Sequence, residues 1–293
     1  MSSESALLRR SEGLRRRNRV NRVVEISSTI AALFAVAVLL IVVGSVLTKG
    51  VDALSIHFLT TPTALFGEEG GGISNAIVGT AIVVASAAAM AIPVGLLVAI
   101  YTTEFAPSRI AHPVRFVLDV LNGVPTIVTA IFVAGLIVIP QGHQSGFALS
   151  VALAIVMLPI VSRTAQEVLA LVPSTLKEAA HALGIARWRT TVRVTIPTAA
   201  GGLITGALLA IARVAGETAP VIILCSIFGQ GNLTDPSQGL ATIPFFIFRS
   251  SEAPSPSAHT EAWAAALVLI ALVLGLNLVA RAFYTRSRRR MEG

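Results

Sequence analysis

Apolar residues in this chain come in long blocks separated by short polar stretches, with none of the strict two-residue alternation of a half-buried strand. A helix needs about 20 apolar residues to cross a bilayer. By that measure six spans are predicted, at about 24–48, 73–101, 115–140, 147–166, 199–225 and 261–284. The second, third and fifth exceed the requirement, so they tilt or leave one end outside the hydrocarbon. The expected fold class is an all-α membrane protein with six transmembrane helices.

Composition agrees: of 293 residues 54% are hydrophobic and 13% charged, and mean hydropathy is +0.80. The first apolar run is much longer than a signal-peptide core and lacks a small-residue cleavage site, so it is expected to remain in the mature protein. The 22 Lys and Arg set the orientation. Seven arginines precede span 1, Arg109 and Arg115 flank the loop before span 3, five Lys or Arg lie within 162–198, and five lie within 281–290. The opposite side has only Lys49 and Arg249. This places both termini and the 167–198 loop in the cytoplasm. The net charge of +7 is topogenic, not a nucleic-acid-binding surface, because no soluble domain displays it. Cys225 is alone and His57, His112, His143, His181 and His259 are scattered, which argues against metal chemistry.

Residues 1–22 form a basic, flexible cytoplasmic segment, 23–285 the six-helix membrane domain, and 286–293 a cytoplasmic tail. Segment 49–72, with two acids and a glycine cluster, is an outer loop resting at the membrane face or on another chain. In 226–260 turn formers surround IPFFIF, too short to span and suited to a helix in the interface. Pro93 in AIPVG should kink span 2 or mark its irregular end. Gly123 and Pro125 in LNGVPTIV imply a break in span 3. Broken helices line transport paths, and they also serve as plain hinges against neighbours; both readings fit. ASAAAMA at 85–91 and Gly202-x-x-x-Gly206 offer small faces for close helix packing.

The polar stretch STLKEAAHALGIARWRTTVRVTIPTA, 174–199, has a helix start at Pro173-Ser174-Thr175, good helix formers from Lys177 to Leu183, and Gly184 for a sharp turn. A second short helix around Arg187 to Thr191 follows, and Ile196-Pro197 marks the start of span 5. Taken alone, this is a device lying on anionic lipid or a partner-docking element. Glu178, Ala179, Ala180 and Gly184, followed by Val194-x-Ile196-Pro197, resemble the EAA loop of ABC-importer permeases. Ile196 stands where that pattern prefers Leu, a volume-conserving departure. Together with LNGVPTIV, LPIVSRTAQE at 158–167 and RVAGETAP at 213–220, the chain from about 20 to 285 resembles the PstA-type permease subunits of bacterial phosphate importers.

The resemblance implies a six-helix, type I importer-like ABC permease with a cytoplasmic EAA coupling helix. It implies a PstC-like second permease, a dimeric PstB-like ATPase that binds ATP and Mg, and a PstS-like extracytoplasmic phosphate-binding protein. In the loop 174–197, Ala179 and Ala180 would allow close approach to the ATPase, Glu178 would fix the pose, and Gly184 would form the turn. The chain lacks G-x-x-x-x-G-K-[ST]: Lys49 precedes Gly50 and Lys177 precedes Glu178. It is therefore expected to be no enzyme, and to bind no cofactor of its own.

Arg213 lies fourteen residues beyond the expected start of span 5, about 20 Å deep at 1.5 Å per residue. A lone arginine at the centre of a span costs roughly 2.5–3.5 kcal/mol, so it needs a partner or a wet cavity. Glu217, four residues on, is on the same face. The pair is either a salt bridge holding the bundle or, as the resemblance implies, the lining of an anion path in which Glu217 competes with phosphate for Arg213. Arg163 is the second intramembrane arginine by motif match, or a residue reaching to the inner boundary. Thr164, Gln166 and Thr218 are neutral donors nearby. The rival readings are an ABC permease for another oxyanion or small solute, a non-ABC secondary transporter, and a scaffold tethering an ATPase.

Overall fold

The computed structural model describes residues 2–64, 71–226 and 234–292, with side chains for 17–279, 281 and 282 among them. Glu68 and Glu69, expected in an outer loop, and the turn formers at 227–233 lie outside the described residues. Helix α1 (Ser2–Gly50) is continuous, and its Arg17–Gly50 stretch is apolar enough to cross a membrane. The polar segment expected to be flexible extends this helix, as its Arg, Leu and Glu content favours.

Residues 50–293 form a separate compact unit. After the short α2 (Ile56–Thr60) comes α3 (Ser74–Ile100), ending in a π-type turn, Tyr101–Phe105. Next come α4 (Ser108–Gly123) and α5 (Thr126–Val133), then a π-type turn, Ala134–Val138, and α6 (Ile139–Gln141). Helix α7 (Gly146–Ala170) precedes α8 (Ser174–Ala182) and α9 (Arg187–Thr190). A third π-type turn, Thr191–Thr195, joins α9 to α10 (Ile196–Ala215). The unit closes with α11 (Ala219–Leu224), α12 (Ile243–Glu252) and α13 (Pro256–Glu292).

All three π-type turns end two residues before a proline: Phe105 before Pro107, Val138 before Pro140 and Thr195 before Pro197. Proline has no N–H to give and its ring crowds the carbonyl one turn back. A locally widened turn accommodates both defects without ending the apolar run.

The packing is set by small residues. A Cβ on Gly95 would lie 2.9 Å from Val161 Cγ1, and Gln166 Nε2 donates to Thr102 Oγ1 at 2.8 Å. Residue numbers on α3 and α7 thus rise together, and the two helices run parallel. On α10, a Cβ at Gly202 would meet Val168 Cγ1 at 2.6 Å, and one at Gly206 would meet Thr164 Cγ2 at 2.5 Å. Here numbers rise on one helix as they fall on the other, so α10 is antiparallel to α7. These two glycines are the contact that lets the backbones close up.

A central apolar cluster, including Val83, Ala130, Leu149, Met157, Val214 and Leu224, joins α3, α5, α7, α10 and α11. Phe58, Ile73, Ile243 and Phe246 pack at the end where α3 and α7 begin. Ala99, Ala165, Leu169 and Ala199 pack at the other end.

Several sequence expectations are corrected. Span 3 is not one helix over 115–140: α4 begins at Ser108, and Ser108–Gly123 meets Thr126–Gln141 at 96°. Span 5 does not run unbroken over 199–225. Its helix is continuous from Arg187 to Ala215, so Ile196-Pro197 is inside it, and it stops at Gly216 before α11. Span 4 is longer than 147–166 at both ends. Of the two expectations for Pro93, a kink or an irregular end, the second is corrected: Pro93 lies inside α3, and the irregular turn comes eight residues later, at Tyr101. IPFFIF is helical, but Ile243, Pro244, Phe245 and Phe246 are buried in the protein instead of lying in the interface. Phe246 stacks edge-on against Phe58, 6.3 Å between centroids, which draws α2 into the same core.

Candidate functional site

The fifth span breaks at residues 216–218, and the candidate site is built around that break. Arg213 is in the last turn of α10, where a cation suits the helix dipole. Glu217 lies beyond the helix end, not inside a helix as the sequence implied. Its Oε1 is 3.8 Å from Arg213 Nη2, an ion pair too long for a hydrogen bond. The Arg213 side chain is 64% exposed and that of Glu217 only 16%.

The register between α7 and α10 gives the depth. Gly206 faces Thr164, so Arg213, seven residues further on, is level with Met157, seven residues back. Met157 is eleven residues from Gly146 and thirteen from Ala170, close to the midpoint of α7. Glu217 shares a cavity wall with Leu149 and Leu153 of α7, as this register requires. A guanidinium two-thirds exposed at that depth does not face hydrocarbon, given the cost of a charge there. Thr218 precedes α11, and its carbonyl accepts from Val221 N–H at 3.1 Å.

Arg163 is six residues from Met157 along α7, roughly 9 Å from the Arg213 level at 1.5 Å per residue. Its Nε donates to Asp119 Oδ1 at 2.7 Å, its Nη2 donates to the same oxygen, and its Nη1 reaches Gln166 Oε1 at 3.4 Å. Gln166 continues to Thr102, whose carbonyl accepts from Arg115 Nη2 at 3.3 Å. Thr164 instead turns its hydroxyl to Ile160 O and its methyl toward Gly206. Gly123 and Pro125 frame the α4–α5 break four residues beyond Asp119, and no atom approaches within 4 Å of a Cβ placed on Gly123.

At the end of the unit where α7 finishes, Gly184 turns the chain at φ +73°, a conformation that disfavours any Cβ. Glu178 and Ala179 are exposed, whereas Ala180 is buried. Lys177 Nζ donates to Glu104 Oε1 at 2.6 Å, with the Glu104 side chain 7% exposed. The Arg187 guanidinium sits over the Phe105 ring at 5.7 Å. The two-helix loop is thus held at two points by the π-type turn ending α3.

Asp119 and Glu104 escaped the sequence reading. The signal for Asp119 was a single acid inside the apolar FVLDVL; that for Glu104 was an acid immediately after a span in TTEF. Among the described residues no group of His, Cys, Asp and Glu is arranged to hold a metal ion.

Broken helices, intramembrane arginines with carboxylate partners, and a braced two-helix loop outside the bundle define a membrane transport permease. Residues 91–293 match the family of binding-protein-dependent transport system inner membrane components, and the chain belongs to that family. The phosphate transport system permease protein PstA of Yersinia pestis is 37% identical over 273 residues, 93% of this chain and 92% of that one. PstA 1 of Mycobacterium tuberculosis is 42% identical over 223 residues, covering 75% and 72%. In fold the chain is similar to a bacterial alginate ABC transporter chain (TM-score 0.61, 14% identity, 87% and 93% covered). It is also similar to a chain of the MetNI methionine ABC transporter (TM-score 0.59, 16% identity, 74% and 94% covered). The fold is therefore that of a type I importer permease, and the family works with a separate ATPase and a binding protein.

Proposed function

We propose that this chain is the permease subunit of an ATP-driven importer that carries inorganic phosphate into the cytoplasm. The observation that supports it most is Arg213, a guanidinium at mid-span, turned away from its own subunit and only loosely paired with Glu217. Phosphate is a tetrahedral oxyanion, and arginine offers it a planar fork of donors that stays protonated at any working pH. Glu217 keeps that grip from becoming a trap, because conduction requires sites weak enough to leave. Thr218 adds a neutral donor beside the break, and Arg163 extends the positive lining inward. The relatives' names, phosphate transport system permease, favour this cargo over another oxyanion.

The arginine distribution puts 1–22, 286–293 and the 174–197 loop in the cytoplasm, with 23–285 as the membrane domain. The loop then serves as the coupling helix of a PstB-like ATPase dimer, which binds ATP and Mg. Exposed Leu183 and Trp188, at 80% and 58%, give it an apolar face to bury, and Glu178, Ala179 and Gly184 shape the approach. A PstC-like subunit completes the bundle, and Arg213 faces the space between the two. A PstS-like protein delivers phosphate on the far side. ATP-driven closure of the ATPase moves the loop, and the bundle alternates access about its breaks at 123–125 and 216–218.

The test is ATP-dependent uptake of labelled phosphate by vesicles holding the whole reconstituted complex, wild type beside Arg213→Ala. Uptake lost from a fully assembled variant is the expected result. Equal uptake reduces Arg213–Glu217 to a structural bridge. ATPase stimulated by a different solute, with no phosphate uptake, overturns the cargo.

A further inference from the structure

Both intramembrane arginines have a carboxylate partner carried beside a helix break. Glu217 lies in the α10–α11 break, and Asp119 is one turn before the α4–α5 break. The two pairs differ in one respect. Arg213 and Glu217 stand 3.8 Å apart without a hydrogen bond, whereas Arg163 gives two N–H groups to one oxygen of Asp119. The outer guanidinium is open and the inner one is occupied.

The inner pair is not a buried tie. The Arg163 and Asp119 side chains are 38% and 51% exposed, at a level where exposure to lipid would be costly for both charges. They face the same kind of aqueous or inter-subunit space as Arg213. Arg163 is further braced by Gln166, itself fixed by Thr102, so the guanidinium stays in place when its anion changes. Asp119 instead sits on α4, whose last residue Gly123 has open space around it and whose axis turns by 96° at the break. A fixed cation and a carboxylate on an element that can swing make an exchangeable pair.

We propose that Asp119 is an internal anion that occupies Arg163 until the transported oxyanion displaces it, and that reoccupies Arg163 to expel the oxyanion toward the cytoplasm. Asp119 is thereby a specificity and release residue of the inner half of the path. This rests on the reading of Arg213 and Arg163 as pathway residues. Only a ligand with at least the charge of a carboxylate and a matching set of acceptor oxygens competes for that guanidinium. Neutral solutes leave the inner site shut.

The experiment uses the complete reconstituted complex with inorganic phosphate, comparing wild type, Asp119→Asn, Arg163→Gln, Arg213→Ala and the exchanged pair D119R/R163D. With the competitor removed, Arg163 keeps phosphate longer. Asp119→Asn is expected to lower KM and kcat together, each by roughly tenfold, the scale of one charge-assisted hydrogen bond lost as competitor. A purely structural pair lowers the yield or thermal stability of the complex and leaves KM alone. Unchanged KM and kcat in assembled Asp119→Asn overturn the proposal, as does wild-type uptake by D119R/R163D, which keeps the bridge but moves the cation. If Asp119→Asn does not assemble, the exchanged pair decides: assembly without uptake supports the proposal. Uptake lost in Arg213→Ala but untouched in Asp119→Asn rejects Asp119 alone. Uptake untouched in Arg213→Ala and Arg163→Gln rejects the pathway reading itself.

Discussion

Replacing Glu104 by Gln removes the charge that holds Lys177, and with it the main tie between the 174–197 loop and the end of α3. The contact is short, 2.6 Å, and Glu104 is 7% exposed, while Lys177 is 24% exposed. Breaking a fully buried pair by deleting one partner costs about 3–5 kcal/mol. Water reaches Lys177, so part of that is recovered and about 2 kcal/mol is expected, on the scale of a hydrogen bond to a charged group. The Arg187–Phe105 contact remains and contributes about 0.5–1 kcal/mol. If the clamp transmits motion, its loss shifts the loop's equilibrium by up to about 30-fold and uncouples the ATPase from the bundle. The assay measures phosphate uptake and ATP hydrolysis side by side in the reconstituted complex. Glu104→Gln should lower uptake per ATP severalfold while basal ATPase stays near wild type. Lys177→Gln should do the same, and the double variant should be no worse than the poorer single. Wild-type uptake per ATP in both singles, or effects that simply add, would refute the clamp.

Three further outcomes follow from particular contacts. Gly184→Ala forces a Cβ into φ +73° and should cost about 1–2 kcal/mol locally, read as weaker copurification of the ATPase with otherwise intact membrane helices. Gly206→Ala brings a methyl 2.5 Å from Thr164 Cγ2 between α7 and α10. It should destabilise by about 1–3 kcal/mol, seen as a lower Tm of the solubilised complex; an unchanged Tm would deny the close approach. Cys225 is buried with its thiol donating to Leu240 O at 3.1 Å, so maleimide should label it only after unfolding. Rapid labelling of the native complex would contradict that packing.

Much of the architecture was legible because lipid demands long apolar runs, and six of them stood out. The loop was legible from its helix formers and Gly184, and the α4–α5 break from Gly123 and Pro125. The boundaries were not. Arg109, His112, Pro113 and Arg115 made the start of α4 look like a loop, although an amphipathic helix carries polar groups on one side. Pro197 looked like a helix start, but the widened turn at 191–195 takes up its defect, so the helix passes through. Arg213 and Glu217 stood out as charges in an apolar run, yet the helix of Arg213 ends two residues later, a fact no periodicity conveys. Asp119 was overlooked because one acid in an apolar run gains meaning only from Arg163, 44 positions away.

The sharp break in the third crossing also bears on how the chain enters its membrane. Ser108–Gly123 and Thr126–Gln141 are 16 residues each, about 24 Å of helix, and neither reaches across a hydrocarbon core of about 30 Å by itself. A translocon handling this stretch alone has no full-length segment to release. The 25 residues of α7, which pack against α5, arrive immediately afterwards. The third and fourth crossings should therefore leave the translocon as a hairpin. Nascent chains truncated at residue 143 should remain extractable by alkali when tested without spans 1 and 2, and those truncated after 185 should resist it.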